Sequence, residues 1–186
     1  MKRCFDILVS TMALLVLAAP MLFLMALVRL TSQGPALYWS ERVGRNGNIF
    51  NMPKLRTMAV HTPVLPTHEL QDAEAYITTL GKILRRSSLD ELPQLYSVLV
   101  GHMSIVGPRP MIPQYAELVR RRQQAGVDRL RPGITGWAQV NGRDTISTDE
   151  KFALDVDYLN RQSVVFDFYI IYRTIIYVLS ARGIWH

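Results

Sequence analysis

An almost unbroken apolar segment close to the N-terminus limits the folds that this chain can adopt. Between residues 7 and 28 the only positions that are not plainly apolar are Ser10, Thr11 and Pro20. An apolar run of about 20 residues is the length that a helix needs to cross the hydrocarbon core of a bilayer. No small-residue cleavage site precedes a polar start, which argues against a removable signal peptide. The segment therefore predicts association with a membrane.

Two features of this segment argue against a simple spanning helix. Pro20 lies within it, and proline removes one helical hydrogen bond and clashes with the preceding turn. Basic residues flank both ends, with Lys2 and Arg3 before and Arg29 after, whereas basic flanks favour the cytoplasmic side. A hairpin with arms of roughly 12 and 9 residues reaches about 18 and 14 Å, half of a ~30 Å core, and leaves both flanks cytoplasmic. From the residues alone, both the spanning and the re-entrant arrangement remain open.

The rest of the chain predicts an α-dominated α+β domain. Short strands and turns are indicated between residues 31 and 58. Apolar side chains recur at helical spacing in the range 70–86, and further helices are predicted over residues 92–99, 115–124, 148–160 and 164–180, of which 115–124 is polar and very basic. The last of these ranges interleaves tyrosines with aliphatic residues, which suits the membrane interface as well as a protein core.

The formal net charge of +6 favours an anionic binding partner, namely nucleic acid, an anionic membrane surface or a phosphorylated ligand. Nucleic acid is disfavoured because the basic residues are dispersed and no base-stacking motif is evident. The four histidines do not have metal-ligand spacing. A phosphorylated ligand and a membrane surface therefore remain.

Adjacent carboxylates at Asp90 and Glu91 are the strongest candidates for chemistry. Pro93 is tolerated best if Asp90 is the N-cap of the following helix, because the N–H at the third position is unpaired anyway. Acidic residues at helix starts commonly only stabilise the helix. Alternatively, one carboxylate attacks phosphorus and its neighbour holds Mg²⁺, with Arg85 nearby to offset the substrate charge.

Two loops offer further phosphate-binding groups. Gly107–Pro110 is a stiff turn that holds the guanidinium of Arg109 in place for a phosphate. Residues 131–144 are rich in glycine and present Gln139 and Arg143 to a base, a sugar or a phosphate. Lys54 and Arg56 are two cations on one side of a predicted strand. An exposed linker arginine remains an alternative interpretation of Arg109.

Together these segments resemble the bacterial sugar transferases, which are monotopic phosphoglycosyl transferases. The similar segments follow the order of the family and cover nearly the whole chain: residues 2–6, the proline-containing apolar run, and residues 54–58, 84–94, 103–110 and 132–143. The chain departs from the family at Ala19, where a serine often precedes the proline, so the bend has one hydroxyl fewer to pair a freed carbonyl.

The resemblance implies a reaction in two steps. Asp90 attacks the phosphate next to the sugar of a UDP-sugar and releases UMP, and undecaprenyl phosphate then takes the phosphosugar from the enzyme. Glu91 completes the pair by assisting with Mg²⁺ or with proton transfer, so both carboxylates are candidate metal ligands. Lys54, Arg56, Arg85, Arg109, Gln139 and Arg143 are the candidate substrate-binding residues.

The resemblance also implies where the chain resides. Residues 1–30 form a re-entrant helix-break-helix hairpin, and residues 31–186 form a compact cytoplasmic catalytic domain with interfacial amphipathic helices. The expected location is the cytoplasmic face of the bacterial inner membrane, in contact with its lipid and with both termini cytoplasmic. The competing hypothesis is a non-catalytic adaptor that binds anionic lipid at the membrane surface. The sugar and the oligomeric state, including a homodimer, are left open.

Overall fold

A computed structural model describes residues 2–63, 72–142 and 145–179. The helices are α1 (Lys2–Thr31), α2 (Ala73–Tyr76), α3 (Thr79–Ser87), α4 (Gln94–Val100), α5 (Ala116–Gln124), α6 (Trp137–Val140), α7 (Thr148–Arg161) and α8 (Val164–Leu179). The strands are β1 (Leu37–Val43), β2 (Ile49–Leu55), β3 (Ser104–Val106) and β4 (Gly133–Thr135). The predicted α-dominated α+β class is confirmed.

Helix α1 is continuous from Lys2 to Thr31 and contains Pro20. The chain therefore stays helical through Pro20, and the re-entrant hairpin stays a prediction. The missing N–H of Pro20 costs one helical hydrogen bond. A full break would free several more backbone groups in an apolar segment that offers them few polar partners, so the helix persists. By length and composition, α1 is the one helix of the described residues that is able to cross a membrane.

Both ends of α1 pack on the remainder of the molecule, whereas its middle is exposed. Near the N-terminus, Asp6 is buried and accepts hydrogen bonds from the Ser104 hydroxyl and the Ile105 N–H, both at 3.0 Å. Near the C-terminus, Val28 is buried against Leu55 and Leu84. The large apolar side chains with the greatest exposure between these anchors include Met12, Leu15, Val16, Leu22 and Phe23.

Strands β1 and β2 form an antiparallel hairpin whose register sets the face of each side chain. Tyr38 pairs with Lys54, and Arg42 pairs with Phe50. Opposed residues of antiparallel strands share a face, so Lys54 and Arg42 lie on the face that carries Phe50. Phe50 is buried with Met52, Val98 and Met103, which directs this face toward the interior.

Strands β3 and β4 are parallel and bring two glycine-containing turns into backbone contact. A Cβ at Gly133 would lie 2.1 Å from the Gly107 nitrogen, and one at Gly136 would lie 2.1 Å from the Gly107 carbonyl oxygen. Neither distance is compatible with a side chain. The glycines of these turns therefore allow the two loops to pack together.

The predicted helix over residues 70–86 is two helices. Its first two residues lie outside the described part of the chain, α2 ends at Tyr76, and α3 begins after Thr78. The Thr78 hydroxyl accepts a hydrogen bond from the Gly81 N–H at 2.9 Å and caps α3. The residues are helical on both sides, as their spacing predicted, but the cap at Thr78 starts a new helix.

The last two helices complete the core. Helix α7 begins with a capping box between Ser147 and Glu150. Tyr158 of α7 and two residues of α8, Phe166 and Ile170, are buried together with Val106 and Val140.

Candidate active site

Asp90 and Glu91 lie in a 3-10 turn, Leu89–Glu91, that joins α3 to α4. The prediction that Asp90 is the N-cap of the next helix is wrong, because the N-cap of α4 is Pro93. Ser88, with φ 57° and ψ 17°, ends α3 in the left-handed region and reverses the chain into this turn. The N-cap of the 3-10 turn is Ser88 and that of α4 is Pro93, so neither carboxylate occupies an N-cap position.

Glu91 is held by two cations from distant parts of the chain. Its Oε1 accepts hydrogen bonds from Lys54 Nζ at 3.0 Å and from Arg109 Nη2 at 3.1 Å. The Glu91 side chain is 11% exposed, so these pairs are only weakly screened by water. The carboxylate that was predicted as the partner of Asp90 is therefore fixed in position by two of the predicted phosphate-binding residues.

Asp90 is the more buried of the two carboxylates, with 8% of the residue exposed. Burial raises the pKa of this carboxyl above its usual range, and the neighbouring Glu91 raises it further. Lys54, Arg85 and Arg109 oppose both effects and favour the ionised form. Among the described residues no hydrogen bond occupies the Asp90 carboxylate, which leaves its oxygens available to a ligand.

Arg85 approaches Asp90 and Glu91, the carboxylate dyad, from the last turn of α3. Its Nε donates a hydrogen bond to the Thr57 hydroxyl at 2.9 Å, which orients the guanidinium. Burial lowers the pKa of Arg85, and the charge of Asp90 raises it. The structure therefore places Arg85 within electrostatic reach of Asp90, as the sequence predicted.

Arg42 is a member of this site that the sequence analysis missed. Burial and the neighbouring Arg109 lower its pKa to about 10, while Tyr38, Glu91 and Tyr115 act in the opposite direction. Its Nε donates to the Ser40 hydroxyl at 3.1 Å. Arg42 lies an even number of residues from Tyr38, the partner of Lys54, so the two cations share a face only once the register of the hairpin is known.

The backbone of Arg109 is held by Arg122, which forms a buried ion pair with Asp155. Arg122 Nη1 donates to the Arg109 carbonyl oxygen at 2.8 Å, and Arg122 Nη2 pairs with the Asp155 carboxylate. The Asp155 side chain is 2% exposed. Pro108 and Pro110 are also buried. Arg109 is thus a positioned residue that pairs with Glu91, although 41% of its side chain is exposed.

Arg56 and Gln139, two of the predicted binding residues, are held by groups other than the dyad, and a third lies outside the described residues. Arg56 is buried and donates to the carbonyl and hydroxyl oxygens of Ser32, at 2.9 and 2.7 Å. Gln139 Nε2 donates to the Ile134 carbonyl oxygen at 2.9 Å, while its buried Oε1 has no hydrogen-bond partner among the described residues. Arg143 lies outside the described residues.

The dyad fits a magnesium ion that takes most of its ligands from elsewhere. Among the described residues no group of three or more His, Cys, Asp or Glu side chains converges as a metal site. Mg²⁺ is commonly bound by one or two carboxylates, with water and substrate phosphates completing its octahedron. Two adjacent carboxylates beside several cations match this pattern and do not match a closed structural metal site.

Comparison with known proteins decides the family. Residues 1–181 match the family described as bacterial sugar transferase. The chain belongs to the bacterial sugar transferase family. This membership confirms the resemblance drawn from the motifs, and it confirms that the chain is a transferase enzyme.

Relatives within the bacterial sugar transferase family match the chain over nearly its whole length. The uncharacterized sugar transferase EpsL of Bacillus subtilis is 39% identical over 184 residues, which cover 99% of this chain and 90% of the relative. The exopolysaccharide production protein ExoY of Sinorhizobium fredii is 36% identical, covering 98% of this chain and 87% of the relative. The UDP-glucose:undecaprenyl-phosphate glucose-1-phosphate transferase of Escherichia coli is 39% identical, covering 94% of this chain but only 39% of the relative.

Proposed function

We propose that this chain transfers a sugar 1-phosphate from a UDP-sugar to undecaprenyl phosphate and releases UMP, with Asp90 as the covalent nucleophile. The general reaction is that named for several of the relatives. The observation that carries the proposal is the convergence of four cations on two adjacent carboxylates: Arg42, Lys54, Arg85 and Arg109 around Asp90 and Glu91.

The surplus of positive charge suits a diphosphate substrate. Two carboxylates neutralise two of the four cations, and the remainder is available to the phosphate oxygens of a nucleotide sugar. Guanidinium groups bind these oxygens as forks, which orients the diphosphate as well as offsetting its charge. A non-catalytic lipid adaptor does not require this buried cluster, so the site favours the enzyme over the adaptor.

Asp90 has the environment that a carboxylate nucleophile needs. Its oxygens carry no described hydrogen bond, so no donor must be displaced before attack. Burial removes the water that would otherwise shield the carboxylate, while the surrounding cations favour its ionised form. An Asp90 oxygen forms a bond to the phosphorus next to the sugar, and the bond from that phosphorus to the bridging oxygen breaks, so UMP leaves.

In the second step the acceptor phosphate regenerates the enzyme. An oxygen of undecaprenyl phosphate attacks the phosphorus held on Asp90, and the acyl phosphate bond breaks to return the free carboxylate. Arg109 and Lys54 hold Glu91 beside this carboxylate throughout. Asp90 and Glu91 are also the residues that would hold Mg²⁺, which supplies charge neutralisation for the phosphate oxygens when bound.

The exposed apolar surface of α1 supports delivery of a lipid acceptor. Both ends of this 30-residue helix contact the catalytic domain, while the apolar middle projects from it. We place the chain on the cytoplasmic face of the inner membrane as a re-entrant protein. This topology keeps the dyad on the same side as the soluble UDP-sugar.

A single-turnover experiment tests the nucleophile. The wild-type enzyme, mixed with UDP-sugar and Mg²⁺ but without acceptor, is expected to release about one UMP per enzyme and to retain the labelled sugar phosphate. Asp90→Asn should release none while still binding the membrane, and Asp149→Asn, an exposed aspartate on α7, should behave as wild type. UMP release that requires the acceptor, or that survives in Asp90→Asn, would disprove the covalent step.

A further inference from the structure

A second basic cluster lies in a cleft at the N-terminal end of α1. The cleft has a volume of about 160 Å³. Its lining includes five cations, Lys2, Arg3, Arg45, Arg129 and Arg131, together with the carboxylate of Asp6. None of these cations is among those that surround Asp90 and Glu91. The proposed reaction therefore leaves the cluster without a role.

The inner wall of this basic cleft is held by backbone carbonyls. Arg3 donates to the carbonyl oxygens of Val98 and Leu99, at 2.6 and 2.8 Å, and Arg131 Nε donates to that of Gly101 at 2.9 Å. These carbonyls belong to the C-terminal end of α4, where the helix dipole attracts cations. The arginines are thereby fixed at the inner end of the cleft before any ligand arrives.

The outer wall of the basic cleft is exposed, and among the described residues that line the cleft Asp6 is the one carboxylate. Arg45 Nε donates to the Arg129 carbonyl oxygen at 2.8 Å, which keeps these two exposed residues together. Lys2 already pairs with Asp167 at 2.5 Å, and the carboxylate of Asp6 accepts from Ser104 and Ile105. Burial, together with Arg45 and Arg3, lowers the pKa of Arg131, as expected for cations that crowd one another. Such a cluster is stabilised by an anion.

Apolar surface lies directly beside the basic cleft. Gln162 lines the cleft two residues before α8 begins, and the first turns of α8 expose Val165 by 79% and Phe168 by 53%. Phe168 packs edge-on against Phe5 of α1, with ring centroids 5.2 Å apart. The start of the membrane-associated helix and an exposed apolar helix thus border a pocket of arginines. A phospholipid presents the same pairing, with a phosphate next to acyl chains.

We propose that this cleft binds the headgroup phosphate of an anionic phospholipid that is a structural ligand and not a substrate. Arg45 and Arg129 bind the phosphate from the outer side, with Arg3 and Arg131 behind it, while α1 and α8 contact the acyl chains. The proposal rests on the membrane association of α1 and is independent of the covalent step at Asp90.

Lipid retention by the full-length protein tests this site. Protein in neutral detergent micelles is equilibrated with phosphatidylglycerol or phosphatidylcholine of identical acyl chains, and retained lipid is counted by native mass spectrometry. The wild type should prefer phosphatidylglycerol. The double variant Arg45→Gln/Arg129→Gln should reduce that preference about 25-fold, because each surface arginine contributes about fivefold. Equal retention of the two lipids by the wild type, or an unchanged preference in the double variant, would overturn the proposal.

Two further arms distinguish a lipid site in this cleft from a general charge effect and from a site for soluble phosphate. The double variant Lys82→Gln/Arg120→Gln removes the same charge from exposed positions on α3 and α5 and should keep the wild-type preference. Inorganic phosphate at millimolar concentration should not displace the lipid, and displacement would indicate a site for a soluble phosphate compound. UMP release should be unchanged in Arg45→Gln/Arg129→Gln, whereas its loss would assign the cleft to the substrate and refute the structural role.

Discussion

Asp90 is a carboxylate whose pKa is raised by burial, an effect that three neighbouring cations oppose. Burial and Glu91 raise its pKa, and Lys54 is the strongest of the cations that lower it. Only the ionised carboxylate attacks phosphorus, so the reaction rate should rise with pH as Asp90 loses its proton. The acidic limb of the pH–rate profile then reports on the electrostatic environment of this single residue.

Lys54→Gln should move that acidic limb toward higher pH. Removing a cation removes an influence that lowers the pKa of Asp90, so more base is needed to ionise it. The variant should also lose about 100-fold in kcat, because one preorganised donor for the phosphate oxygens is missing. The measurement is UMP release across pH. Lys82→Gln, a change at an exposed lysine of α3, should leave the limb in place, and an unmoved limb in Lys54→Gln would contradict the assignment.

Helices α5 and α7 are joined by two Arg–Asp pairs that differ in burial. Arg122 with Asp155 is almost fully buried and also holds the backbone of Arg109. Arg121 with Asp149 is a surface pair whose aspartate is 79% exposed. Both pairs join an arginine of α5 to an aspartate of α7. Comparing them therefore separates the effect of burial on stability from the effect of charge.

Asp155→Asn should destabilise the protein by roughly 3–5 kcal/mol, because it leaves the Arg122 guanidinium buried without a counter-charge. Asp149→Asn, the matched surface change, should cost about 0–1 kcal/mol. Thermal unfolding in detergent micelles measures both. The buried variant should also lose activity, since the turn that carries Arg109 loses its support. Equal stability of the two variants would mean that the buried pair does not hold the loop.

At the scale of the whole molecule, α1 decides how the enzyme meets the membrane. Its two ends contact the catalytic domain through Asp6 and Val28. These two residues are 22 positions apart, and a straight helix would place them about 33 Å from each other. The re-entrant topology stays a prediction that these contacts support.

Cys4, the single cysteine of the chain, reports this topology without any added tag. Because it is exposed, a membrane-impermeant thiol reagent should label it in inverted membrane vesicles and not in intact spheroplasts. The variant Cys4→Ser/His102→Cys moves the thiol to an exposed position of the catalytic domain and should show the same pattern. Labelling of Cys4 from the outside, with position 102 labelled only from the inside, would establish a spanning helix.

Local chemistry determined a large part of this protein from its sequence. Short-range spacing and side-chain type indicate the apolar run of α1, the β1 strand, the helical ranges and the candidate carboxylate pair. Residues next to one another in the chain must be neighbours in any fold, so Asp90 and Glu91 were accessible to sequence reasoning together with the motifs around them.

Only the tertiary structure decided which distant groups meet. Lys54 and Arg56 have the spacing of one strand face, but β2 ends at Leu55, so the alternation stops and Arg56 turns to Ser32 instead of the dyad. Arg42 joins the site through the register of two strands, and Arg122 supports Arg109 through a pair with Asp155 on another helix. These contacts depend on how whole elements pack, and no short-range spacing specifies that packing.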